Sequence, residues 1–230
     1  MKALISMLYA IAMGVIAGPV FAQEQDINSF VRAIYMEGVP YSEATLFDPA
    51  DAVPALLDML ADPNEEQHWP NVVITLGMLG DARAVEPLIQ FLEEDSGKRL
   101  SRPHYIAKTG VVMALGYLIN KKENQQALAY LKDSVKPGVW AKRKTNWVSP
   151  YHANADDRNS QLSKMAIIGL ALSGHPSARD TLQALKTPAT SRADRRFQTQ
   201  VSDVLSEAIN AHETIRREGL ISYDAKRRSR

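Results

Sequence analysis

Val72-Val73-Ile74-Thr75-Leu76-Gly77-Met78-Leu79, a break at Gly80, and then Asp81-Ala82-Arg83-Ala84-Val85-Glu86-Pro87-Leu88-Ile89-Gln90-Phe91-Leu92 form the stretch that decides the fold. Its second half puts Val85, Leu88, Ile89 and Leu92 at helical spacing, one apolar stripe along one helix. Asp81 stands where a side-chain oxygen caps a helix start by accepting a backbone N–H. The stretch reads as two helices joined by a short polar turn.

The same organisation returns along the chain. Residues 111–118 repeat 72–79 with a shift of 39, and residues 166–172 repeat it more loosely with a shift of 94. Upstream, residues 51–60 repeat the second helix with a shift of 32. Units that recur in this way stack, each burying its apolar face against its neighbours. Asp48 marks a further cap, and Pro49 and Pro176 fall at first-turn positions, where a missing N–H costs little. Gly77, Gly116 and Ala171 share one slot inside the first helix. A mid-helix glycine costs about 1 kcal/mol against alanine, so its recurrence predicts close approach of the neighbouring helix.

The pattern apolar-Leu-Gly-x-Leu-Gly-Asp-x-Arg-Ala-Val-x-Pro-Leu, read from Val73 to Leu88, resembles the HEAT-like repeat of the phycobilisome-lyase type. The likeness is close over 72–92, looser over 111–131 and faint over 166–185, and covers roughly half of the chain after residue 22. It implies an all-α, right-handed solenoid of about four to five antiparallel helix pairs that binds proteins. The namesake lyases attach bilins to cysteines inside cells, a role that export argues against. HEAT-repeat hydroxylases that hold two irons need several His-Glu pairs, and only His212-Glu213 is present here.

Both ends read as caps. Ile27, Phe30, Val31 and Ile34 suit a short amphipathic helix, and Phe197, Val201, Val204, Leu205, Ala208, Ile209, His212 and Ile215 a long final one. The basic residues 220–230 read as a flexible tail, which leaves 23–219 as the solenoid domain. Residues 1–22 differ in kind. Lys2 is the sole charge, residues 3–16 are almost wholly apolar, Gly18-Pro19 breaks the run, and Val20-Phe21-Ala22 precedes Gln23. This order marks a signal peptide cut between Ala22 and Gln23, and the run is short of the ~20 residues that span a bilayer. The expected location is the periplasm or the exterior.

The chain has no cysteine, which removes disulfides, thiolate nucleophiles and cysteine-based zinc sites together. Residues 23–131 carry 8 basic and 16 acidic side chains, a balance of −8; residues 132–230 carry 18 and 10, a balance of +8. Such asymmetry bears on partners rather than on fold. Nucleic acid is a poor counterpart for a chain of zero mature charge whose acidic half would oppose it. Head-to-tail self-association through the two halves is the structural alternative.

One segment departs from the repeat. Between the copy at 111 and the copy at 166 the shift grows to 55, so about 16 residues are inserted within 137–160. Insertions in repeat arrays often lie on the functional face. Here Trp140, Trp147, Tyr151 and His152 are candidate partner anchors, and Lys142, Arg143 and Lys144 candidate steering charges. The bland reading folds the tryptophans back over an edge of the solenoid. Among the five histidines no HExxH or similar ligand spacing occurs, nor does a phosphate loop or nucleophile elbow. His152, Asp156 and Asp157 are the one loop cluster that would support an enzyme reading. The leading expectation is therefore an exported, non-enzymatic scaffold or adaptor without cofactor or metal, binding protein through its concave face and this loop.

Overall fold

The computed structural model describes residues 26–94 and 97–229. The expected signal segment 1–22 lies outside the described residues. Ten α-helices follow one another among the described residues: α1 (Ile27–Arg32), α2 (Tyr41–Ala44), α3 (Pro49–Ala61), α4 (Trp69–Leu79), α5 (Val85–Glu93), α6 (Arg102–Lys122), α7 (Gln125–Ser134), α8 (Ala155–Ser173), α9 (Pro176–Ala184) and α10 (Arg192–Arg228). No strand occurs among the described residues; Arg99 and Val148 form one isolated bridge.

The helices form two rows. In one row α4 packs on α6, α6 on α8 and α8 on α10. The other row holds α3, α5, α7 and α9, with α5, α7 and α9 each resting on the first-row helix that precedes or follows it. This is an all-α, HEAT-like solenoid. Its helix pairs run α4/α5, α6/α7 and α8/α9, with α1 to α3 before them and α10 closing the stack.

The caps work as the local chemistry requires. Asp48, Asp81, Ser101, Asn124, Asn154 and Ser191 each accept a backbone N–H at the start of a helical segment. Each satisfies a donor that a helix start leaves orphaned. At the far end of α5 the buried Lys108 donates to the carbonyls of Phe91 and Glu94. A cation there also meets the negative end of the helix dipole.

The glycine slot is where the first row closes. A Cβ on Gly77 would lie 2.4 Å from the carbonyl oxygen of Ala114, and one on Gly116 would lie 2.2 Å from that of Gly169. Ala114 and Gly169 each lie two residues before the slot position of the next copy of the repeat, so the same contact is made twice. The predicted close approach is real.

Two expectations at the ends need correction. Ile34 falls beyond the end of α1 and is 91% exposed, because Ala33 is already extended and ends the helix. The segment 220–230 was expected to fray, yet α10 continues to Arg228 past a turn at Gly219 (φ 81°, ψ 160°). Leu220 and Asp224 are buried. Asp224 Oδ2 accepts from the Tyr41 amide (3.4 Å), and the Arg228 guanidinium donates to the carbonyls of Gly38 (2.9 Å) and Val39 (2.6 Å). Tyr41 in turn stacks on Tyr117 of α6 at 5.7 Å. The last two turns are a clasp that reaches back to the first elements of the chain.

Candidate functional site

The inserted segment is ordered by its own side chains. It leaves α7 through Gly138, whose φ of 72° starts a single 3-10 turn, Val139–Ala141. The Thr145 hydroxyl closes that turn on the Trp140 carbonyl at 3.2 Å. Farther on, Val148 exchanges backbone hydrogen bonds with Lys98 (2.8 Å) and Leu100 (3.0 Å). Ser149 Oγ then accepts from the amides of Tyr151 and His152, both at 3.0 Å.

Arg143 locks the segment to α7. It donates to Ser134 Oγ (2.7 Å) and to Asp133 (2.9 Å), and lies over the rings of Tyr130 (3.9 Å) and Trp140 (4.6 Å). A guanidinium between two aromatic faces is held by their negative quadrupoles as well as by its ion pair. Hydrogen bonds from Lys136 and then Arg143 hold the Asp133 carboxyl below the usual range, against the opposing effect of burial. Burial first, and then the hydrogen bond donated to Glu93, hold the Tyr130 phenol well above its ordinary value.

Trp147 is the second lock. Its indole N–H donates to the Leu92 carbonyl at 3.2 Å, and its own carbonyl accepts from the buried Arg158 at 2.9 Å. Trp140 is 2% exposed and Trp147 0%. The two indoles expected as partner anchors are thus closed inside the chain's own core, together with Arg143. The physical reason is area. An inserted loop becomes ordered only by burying apolar surface, and indoles bring more of it than any other side chain.

What remains on the surface is Lys142, Lys144, the half-exposed Tyr151 and part of His152. The Tyr151 ring meets that of Tyr105 edge-on at 5.2 Å, with the Arg102 guanidinium 5.9 Å from its centre. His152 rests against Tyr105 at 6.0 Å. Asp156 pairs instead with Arg196 of α10 (3.0 Å), and Asp157 accepts from Asn154. The three residues of the enzyme reading therefore have separate partners. Among the described residues no group of three or more His, Asp or Glu is arranged to hold a metal.

The insertion builds something that the sequence reading missed. With α8 and the first turns of α10 it encloses a groove of about 650 Å³. Trp140, Pro137 and Phe197 supply apolar lining; Asn159, Ser160, Gln200, Arg192 and Arg196 supply polar lining. The Trp140 indole N–H has no acceptor among the described residues, whereas Trp69 and Trp147 donate to the carbonyls of Met59 and Leu92. The run Arg192-Ala193-Asp194-Arg195-Arg196, directly after the cap Ser191, was the signal available in sequence.

Comparison with known proteins bears on the fold. Residues 71–94 match the family model of the PBS lyase HEAT-like repeat. That span holds all of α4 from Asn71 onward and α5, the copy in which the pattern was clearest. No curated protein and no solved structure matches the chain. A HEAT-like repeat points to a scaffold for protein–protein interaction, and among the described residues no helix is long and apolar enough to cross a membrane.

Proposed function

We propose that this protein is an exported scaffold that holds a protein partner against the face formed by the inserted segment and the start of α10. The observation that carries the reading is the groove itself. The segment that breaks the repeat is not a loose loop but a pinned wall, and the wall encloses space of the size that ligand sites use. Lys142, Lys144 and the half-exposed Tyr151 of the same inserted segment stay on the surface. Rigid walls lower the ordering cost of association, which favours recognition. Export rests on the charge and apolar pattern of residues 1–22, and implies a mature chain beginning at Gln23 in the cell envelope or beyond it. The partner is a protein, and no cofactor takes part.

Site-specific photo-crosslinking in the native host tests this reading. A photoreactive residue at Ala141, on the groove, is compared with one at Gln126, on the far row, and the mature chain is sized by mass spectrometry. A discrete adduct from position 141 and none from 126, on a chain that starts at Gln23, supports an exported scaffold with this binding face. Equal adducts from both positions remove the face. A chain that retains residues 1–22 and stays in the cytoplasm removes the export.

A further inference from the structure

The groove has a chemical preference, and this inference rests on the scaffold reading above. We propose that it takes an extended protein segment bearing acidic side chains. The charged groups on its lining are two arginines, Arg192 and Arg196, and one carboxylate, Asp156. Asn159 Oδ1 already accepts from Arg158 at 3.2 and 3.0 Å, which leaves its NH2 as the free end.

Charge points the same way. Arg192 is exposed, has no ion pair among the described residues, and stands in the first turn of α10. Asp156 is the one carboxylate on the lining, and it is tied to Arg196 at 3.0 Å. Lys142 and Lys144, exposed on the inserted segment, add to the positive charge of that segment. Acidic ligands suit such a lining: backbone carbonyls opposite the Asn159 amide, carboxylates opposite Arg192. The apolar floor of Trp140 and Phe197 suits aliphatic side chains between the acids, as an extended chain presents side chains to alternate faces.

The test uses the three indole N–H signals in a proton–nitrogen correlation spectrum of the full mature chain. The probe is an N-acetylated, C-amidated hexapeptide of alternating glutamate and leucine. Controls are the same peptide with glutamine for glutamate, and sodium sulfate at equal charge. The expected result is a saturable shift of the signal lost in Trp140→Phe, with those of Trp69 and Trp147 unmoved. Arg192→Glu weakens binding by about tenfold or more, while its unmoved Trp69 and Trp147 signals show an intact fold. Equal binding of the glutamine peptide, an equal shift with sulfate, or no loss in Arg192→Glu overturns the proposal. A crosslinked partner at Ala141 without peptide binding overturns this preference and leaves the scaffold standing.

Discussion

A Cβ added to Gly116 would lie 2.2 Å from the carbonyl oxygen of Gly169, so α6 and α8 meet there backbone against backbone. No side-chain rotation relieves that clash, because both parties are main chain. Gly116→Ala is expected to destabilise by about 1–3 kcal/mol, even after the ~1 kcal/mol that alanine gains in a helix. Gly110 lies in the same helix with its nearest neighbours at 3.8 Å. Gly110→Ala should therefore stabilise by roughly 0.5–1 kcal/mol. Urea unfolding of the pair reads both signs, and equal effects would mean that the row is not closed through Gly116.

Trp147 predicts how the inserted segment is held. Trp147→Phe keeps most of the ring but strands the Leu92 carbonyl, at a cost of about 1–3 kcal/mol. Trp147→Ala empties a fully buried site and should cost about 3–5 kcal/mol. Tyr151→Ala, at a half-exposed position, should cost under about 1 kcal/mol. Thermal melts of the three variants check the order. A Trp147→Ala variant as stable as the wild type would show that the indole is an outward anchor after all.

The repeat was legible because it is written locally. Caps, first-turn prolines and the stripe from Val85 to Leu92 lie within one unit, and the glycine slot names its neighbour by being empty. The groove and the clasp were not legible, because each joins residues far apart in sequence. Trp140, Asn159 and Arg192 come from three separate segments. Asp224 reaches Tyr41 across 183 positions. In composition residues 220–230 look like a solvated tail, yet Leu220 and Asp224 are buried, Tyr223 packs on the core and Arg228 reaches the first elements. Trp140 and Trp147 have the composition of a recognition loop, but composition carries no direction, and both point inward.

His212 makes stability depend on pH. It is fully buried, its Nε2 lies 3.0 Å from the His175 carbonyl, and its Nδ1 has no partner among the described residues. Burial first, with Arg216 and Arg179 adding to it, lowers its pKa despite the His175 carbonyl and Glu213. Protonation therefore favours the unfolded chain. Stability begins to fall as pH drops through the unfolded histidine value of about 6.5, and the loss continues down to the depressed folded value. His104 shifts in the same direction, by burial and then by Lys108. The expected observation is a lower melting temperature at pH 5.5 than at pH 7.5, with a smaller difference in His212→Gln. An identical pH dependence in that variant would remove His212 from the effect.

The clasp makes the most specific prediction. Gly219 holds φ 81° and ψ 160°, a region open only to glycine, and nothing lies within 4 Å of where its Cβ would be. Gly219→Ala therefore acts on the backbone alone, at about 1–3 kcal/mol. That cost falls on the turn that lets Leu220 and Asp224 dock, not on the core rows. Local opening follows local stability, so amide exchange should quicken together in 221–228 and in 37–44, where Arg228 and Asp224 hold the first elements of the chain. Exchange in the middle of α6 should not change, because its contacts with α4 and α8 do not pass through the clasp. Deleting 219–230 should give the same pattern more strongly and uncover the Tyr41–Tyr117 stack. If 37–44 stays protected in both variants, the first elements are held by α3 and α4 alone, and the terminal helix is a passenger.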